Sequence, residues 1–175
     1  MKTKASIKSQ RIYYKSNEYT ETGEYTVDIV TEGLYKLTVI GGGGGCAYVD
    51  GGKDGYADTS RAWHYGHDGG YGSSFIGYAN LTKGTLTITV GVAGVNYAGQ
   101  GVATGHGGDS YVTFTPENGE PVEIIRAGGG HSGFHASSFT ANVAGGEVTY
   151  DPTYIEKVVQ ANKGADGTLR WSFFA

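Results

Sequence analysis

Five histidines and one cysteine are the side chains with the widest chemical reach in this chain. His64, His67 and Asp68 stand close together, and His131 and His135 lie four apart. Zinc sites take ligands at such spacings. No cysteine pairs with them, however, and Trp63 and Tyr65 stand alongside. Loop histidines in that company read as surface or contact residues, so no metal or cofactor is expected. Asp50, Asp54 and Asp58 hint at calcium, but helix-loop-helix calcium loops place oxygens at every second position. Cys46 with a histidine is a conceivable nucleophile. Beside Ala47 and Tyr48 it reads better as a small buried hydrophobe. Gly128, Gly130 and Gly133 spell G-x-G-x-x-G after a strand pattern. The following residues lack a helical period and a suitably placed acid for a ribose. No phosphate-cradling G-x-x-x-x-G-K-[ST] occurs, and no carboxylate pair shares a rigid element. Catalysis is not expected.

Aromatic residues are the stronger signal. Trp63, Tyr65, Tyr71, Tyr97 and Phe134 lie in glycine-rich stretches rather than in alternating strand patterns. Aromatics there can stack on sugars or anchor a protein contact with little entropy loss. With His64, His67, His131 and His135 they form the candidate receptor- or partner-binding set. The same aromatics serve equally well as fillers over packed glycine or between subunits.

The elements that would position them are unusual. Gly supplies 32 of 175 residues, about 18%, against a typical level of about 7%. Aromatics make up 13%, which disordered glycine-rich linkers do not carry. Three prolines and no G-X-Y period exclude collagen. A formal net charge of −4 provides no basic field for nucleic acid. A single cysteine excludes an internal disulfide framework. The basic start, "MKTKASIKSQRIYYKSNEY", has no apolar core of a secretory signal, and no run is long enough to span a membrane. Synthesis in a cytoplasm without a signal peptide is expected.

Strand patterns dominate. They are Arg11–Ser16, Tyr25–Val30, Leu34–Ile40, Thr85–Val90, Ser110–Thr115, Val122–Ala127, Gly146–Tyr150 and Leu169–Phe174. "PENGEP" (Pro116–Pro121) predicts a hairpin turn. One short helix is expected after Asp151, with Pro152 at its first position and Ile155, Val158 and Val159 on one face. The β-branched "YIEKVV" could instead extend as a strand.

Three strands empty into glycine: "LTVIGGGGG", "ITVGVAG" and "IIRAGGG". Glycines also recur three apart, as in Gly66-Gly69-Gly72, Gly91-Gly94, Gly105-Gly108, Gly130-Gly133 and Gly164-Gly167. A polyproline-II-type helix has three residues per turn, so one edge would be bare backbone able to approach its neighbours. The expectation is that Gly41, Gly42, Gly43, Gly44 and Gly45 begin a packed glycine-helix segment, with Gly128 and Gly129 in another. The alternative is a set of glycine-rich surface loops.

The stretch "GLYKLTVIGGGGG", then "GGYGSSFIGYANLTKGTLTITVGVAG", "GHGGDSYVTF" and "IIRAGGG" resembles the glycine-rich domain of bacteriophage tail and tail-fibre proteins. The outline is shared by the glycine-rich extracellular domain of certain animal receptor tyrosine kinases. The resemblance covers about Glu32 to Gly133. It implies an all-β fold, a β-sandwich of jelly-roll type capped by packed polyglycine-II helices. It also implies an aromatic strand after "GGYG". Residues 1–31 would be N-terminal strands or an attachment segment, and 32–175 the glycine-rich domain. The resemblance further implies a non-enzymatic virion protein, a tail-fibre or receptor-binding component. Its expected partners are other virion proteins and a bacterial surface glycan or outer-surface protein. A homo-oligomer is expected, a trimer by analogy with fibres, with no nucleic acid bound and no membrane insertion. A capsid or tail decoration protein and a carbohydrate-binding module are the alternatives.

Overall fold

The computed structural model describes residues 16–46, 63–67, 69–96, 105–133, 143–167 and 169–173. Ten strands occur in chain order: β1 (Gly23–Ile29), β2 (Gly33–Ile40), β3 (Trp63–His67), β4 (Ser74–Leu81), β5 (Gly84–Val90), β6 (Ser110–Pro116), β7 (Val122–Ala127), β8 (Val148–Tyr150), β9 (Ile155–Asn162) and β10 (Leu169–Phe173). They form a five-stranded sheet β1-β5-β6-β7-β8, a three-stranded sheet β2-β4-β9 and a two-stranded ladder β10-β3, all antiparallel.

The five- and three-stranded sheets pack face to face as a β-sandwich. Alternation decides which face each strand buries. In β4, Phe75, Ala79 and Leu81 point inward and are almost fully buried. Val39 of β2 and Ile155 of β9 join them. The larger sheet contributes Ile29, Leu86, Val112, Phe114, Ile124, Ile125 and Ala127 to the same core. Ile124 and Ile125 are adjacent, yet both are buried. A bulge opposite Val112/Thr113 leaves Ile124 as an extra residue and so permits it. Beyond each face, threonines alternate out of the larger sheet: Thr26, Thr87 and Thr113 lie in one register row.

The helix expected after Asp151 is a single turn followed by strand β9. Asp151 does cap that turn. Its Oδ1 accepts the Thr153 N–H (2.8 Å), and its carbonyl accepts the Ile155 N–H (3.0 Å). The chain then extends and pairs with β4. Ile155, Val158 and Val159 are β-branched and favour that conformation, and the β4 edge offers a ladder that a helix would leave unpaired. The hairpin at Pro116–Pro121 is present between β6 and β7, closed by Gly119 N–H to Pro116 C=O (3.1 Å). Arg11–Tyr14 and Lys15 of the first expected strand lie outside the described residues.

Seven glycine-rich segments continue from the strands on one side of the sandwich. Segments 41–46, 91–96, 128–133 and 163–167 leave β2, β5, β7 and β9, and segments 69–73, 105–109 and 143–147 lead back into β4, β6 and β8. Their hydrogen bonds run between segments, not within them, and repeat every three residues. Gly42 and Gly45 donate to Gly108 and Gly105 (both 2.9 Å). Gly130 and Gly133 donate to Gly42 and Gly45 (2.8 and 2.7 Å). Gly70 and Ser73 donate to His131 and Gly128 (2.9 and 3.0 Å). A period of three with all bonding external is the signature of packed polyglycine-II helices.

The bond pattern fixes their order. One row runs 91–96, 41–46, 69–73, 163–167, joined by Gly94 N–H to Gly43 C=O (2.7 Å), Gly44 N–H to Gly70 C=O (2.8 Å) and Tyr71 N–H to Ala165 C=O (2.8 Å). A second row runs 105–109, 128–133, 143–147, joined by Gly107 N–H to Gly130 C=O (2.9 Å) and Gly128 N–H to Glu147 C=O (2.7 Å). Each segment of the second row sits in the groove between two of the first. Added methyl groups have no room there. A Cβ on Gly129 would lie 2.0 Å from the Gly107 carbonyl oxygen, and one on Gly42 would lie 2.1 Å from that of Val92. Gly41, Gly44, Gly45, Gly69, Gly72, Gly108, Gly128 and Gly130 are likewise walled by backbone, whereas a Cβ on Gly43 meets nothing within 4 Å.

Short polar side chains join sandwich to bundle. Ser73, fully buried, donates from Oγ to the Glu147 carbonyl (2.8 Å). Ser110 Oγ accepts the Gly91 N–H (3.0 Å). Asp109 accepts the Gly129 N–H at Oδ1 (2.9 Å) and Arg126 Nη1 at Oδ2 (2.7 Å). Arg126 also pairs with Glu123 and lies over the Tyr111 ring (4.5 Å). The Gly129 amide, more than the guanidinium, holds the Asp109 carboxyl below its ordinary value against the opposing effect of partial burial.

Two predictions follow from this architecture. Gly129→Ala should cost about 3 kcal/mol or more, because backbone rather than a movable side chain fills the space. Gly43→Ala should leave stability unchanged or raise it by about 0.4–1 kcal/mol through the unfolded chain; thermal melts of both variants compare them. Asp109→Ala should cost about 1 kcal/mol at neutral pH, a modest figure because the side chain is 41% exposed. A carboxyl lowered on folding stabilises above its unfolded value and loses that contribution as pH falls through the folded one. The difference between wild type and variant should therefore hold at neutral pH, begin to shrink as pH falls below about 3.8 and be lost at more acid pH, read from denaturant titrations across pH.

Candidate functional site

The sandwich and the bundle present two unlike ends. At the sandwich end, the connections between β1 and β2, β4 and β5, β6 and β7, and β8 and β9 are short turns. A shallow depression there is lined by Glu32, Thr82, Lys83, Pro116, Glu117 and Asn118. At the far end of the bundle, the chain leaves for the long connections 47–62, 97–104 and 134–142 and returns from them. The bundle thus gathers the bases of all three connections, although they are far apart in sequence.

Backbone and short side chains lock these bases together. Cys46 N–H donates to Asn96 Oδ1 (2.9 Å), and Gly105 N–H to the Val95 carbonyl (3.0 Å). Ser132 N–H donates to His106 Nδ1 (2.9 Å), and the His106 and His131 rings meet edge-on at 5.1 Å. Val143 and Gly167 exchange a pair of backbone bonds. Asp166 Oδ1 accepts the Gly145 N–H (3.0 Å), and Lys163 bridges Glu147 and Asp166. The Lys163 ammonium is held above its ordinary value by that hydrogen bond to Glu147.

The binding candidates fall into three groups. Trp63, His64, Tyr65 and His67 belong to strand β3, which corrects the expectation that these aromatics lie outside alternating strands. The stretch "WHYGH" has the β-propensity of its aromatics, and its partner "LRWSF" lies more than a hundred residues away, so the pairing is not a local signal. One residue each, Asp68 and Thr168, separates β3 from segment 69–73 and β10 from segment 163–167, and those two segments are neighbours in the first row. The ladder's register pairs Trp63 with Phe173 and Tyr65 with Trp171. It thus brings both tryptophans of the protein, with Tyr65 and Phe173, together in register.

Tyr71 and His131 form the second group. Tyr71 lies midway along its glycine segment, 65% exposed on the outer side of the first row. His131 lies in the second row, against His106. The third group, Tyr97, Phe134 and His135, lies outside the described residues, as do Asp50, Asp54, Asp58 and Asp68. Among the glycines, Gly66 lies opposite Arg170 in the β3–β10 ladder, and Gly105 and Gly133 lie at the bundle's far end.

Of the metal candidates, His64 and His67 lie in β3, and Asp68 and His135 lie outside the described residues. His106 accepts at Nδ1, which leaves its proton on Nε2, whereas a metal-ligating imidazole donates from its second nitrogen. Among the described residues, no three His, Cys, Asp or Glu side chains are grouped to hold an ion. Sequence reasoning missed Asn96, His106, Trp171 and Phe173. Only the alternation of Leu169–Phe174 hinted at the last two. Compared with known proteins, the chain matches no protein-family model, no curated protein and no solved structure, so residue types and geometry carry the functional reading.

Proposed function

We propose that this chain is a bacteriophage virion component of the tail-fibre or receptor-binding kind, a non-catalytic protein that contacts the host cell surface. The observation that carries the reading is the far end of the bundle. A scaffold built almost wholly from backbone holds the bases of long connections that are far apart in sequence. The β3–β10 ladder pairs Trp63 with Phe173 and Tyr65 with Trp171 in its register. Aromatic residues gathered in this way are suited to stacking on sugar rings or anchoring a protein contact, and neither task needs a catalytic group. The likeness of "LTVIGGGGG…GGYGSSF…GTLTITVG…GGDS…AGGG" to phage tail proteins supports the same reading. A surface glycan fits these aromatic residues best, and an outer-surface protein is the second candidate.

Fluorescently labelled protein should bind saturably to some members of a panel of bacterial strains and be displaced by their purified surface glycans. Trp63→Ala together with Tyr65→Ala should weaken that binding tenfold or more, with the sandwich melt unchanged. Binding that both substitutions leave intact would move the contact elsewhere. Protein that binds no cells but is taken up by assembling virions would favour a decoration role.

A further inference from the structure

Segment 128–133 sends its amides in three directions. Gly128 and His131 donate to segment 143–147, and Gly130 and Gly133 donate to segment 41–46. The third direction, taken by Gly129 and Ser132 one turn apart, meets segment 105–109. There the acceptors are side chains, not backbone. Gly129 donates to Asp109 Oδ1 and Ser132 donates to His106 Nδ1, both at 2.9 Å. His106 and Asp109 are themselves three residues apart, so they share one edge of their segment. A third side chain acts alike in the first row, where Asn96 Oδ1 accepts the Cys46 N–H (2.9 Å).

These three caps answer acid differently. The Asn96 amide oxygen accepts at any pH. The Asp109 carboxyl is held below its ordinary value and goes on accepting in mild acid. An imidazole accepts only while neutral, because an imidazolium donates from both nitrogens and accepts at neither. Imidazoles change charge between roughly pH 5 and 8. The His106 and His131 side chains are exposed, so protons reach both. Their rings meet edge-on with centroids 5.1 Å apart, and two imidazolium rings at that separation repel. Around the pair, the ionisable side chains on the packed segments are Asp109, tied to Arg126, then Cys46, Tyr71 and Glu147, the last tied to Lys163; segment 91–96 carries none.

We propose that His106 and Ser132 form a proton-sensitive latch between the bases of connections 97–104 and 134–142. At neutral pH and above, the neutral ring ties the residue that follows the first connection's return to the last turn before the second departs. In mild acid, His106 takes up a proton at Nδ1, releases the Ser132 N–H to water and turns away from the charged His131. The backbone bonds Gly105 to Val95 and Gly133 to Gly45 do not titrate, so the bundle stays folded as the two bases part on this side. The latch stands whatever the connections bind.

NMR of the isotopically labelled full chain tests the proposal between about pH 8 and pH 5. At the upper end, the His106 ring nitrogens should report the Nε2–H tautomer, with Nδ1 the acceptor. His106→Asn supplies the control. Its side-chain oxygen takes the place of Nδ1, as Asn96 serves Cys46, and it gains no proton. Protection of the Ser132 amide from hydrogen exchange should be equal in the two proteins at the upper end. At the lower end it should be about fivefold weaker in wild type, with the Phe114 amide in the core unchanged in both. An Nδ1–H tautomer at the upper end, read on wild type alone, would overturn the proposal, and so would equal Ser132 protection in the two proteins at the lower end.

Discussion

The structure depends on one constraint: a backbone amide removed from water must find an acceptor. Polyglycine-II segments make no internal hydrogen bonds, so each is unstable alone and must be surrounded. The two-row bundle meets this demand. Segment 128–133 shows how fully: Gly128 and His131 bond to segment 143–147, Gly130 and Gly133 bond to segment 41–46, and Gly129 bonds to Asp109. The order lost by so many glycines on folding is offset by bonds between segments, not by side-chain burial.

The same constraint explains where glycine is needed. Facing sheets lie about 10 Å apart because side chains fill the space between them. The two glycine rows are in direct hydrogen-bond contact, as Gly42 with Gly108 and Gly70 with His131. Each chain leaving the sandwich must therefore converge on its neighbours within a residue or two. Side chains are lost at that boundary because there is no volume for them. The residues standing at it are small or polar: Ser73, Asp109, Ser110 and Ala127. Their hydroxyl and carboxyl groups complete the hydrogen bonding that the change of geometry interrupts.

Local patterns in the sequence were reliable where one strand could bury one face. Leu34–Ile40, Thr85–Val90 and Ser110–Thr115 are strands because alternation is a property of a few consecutive residues. The glycines three apart likewise marked helices of period three, except that Gly66 lies in strand β3, and "GGDS" contained the Asp109–Ser110 junction. Misreading began where the deciding partner was remote. Residues 155–162 carry a pattern compatible with a helix face, but the free edge of β4, some eighty residues earlier, decides for a strand. The β3–β10 ladder has the longest sequence separation of the described strand pairs, and nothing near Trp63 reveals Phe173. The order of the glycine rows was illegible for a related reason. Glycine has no side chain with which to specify a neighbour, so the order follows from which strands the sheets hold side by side.

That division of labour bears on function. The sheets specify the arrangement through side chains, and the bundle transmits it through backbone alone. At the far end, Cys46, Asn96, Gly105, Gly133 and Val143 are held by bonds among themselves and with the described segments. Connections 97–104 and 134–142 therefore begin and end on anchors that owe nothing to their own sequence, and connection 47–62 begins on one and leads into β3. The hydrogen bonds that hold these bases come from the described segments, so the bundle's stability does not depend on the residue types within the connections.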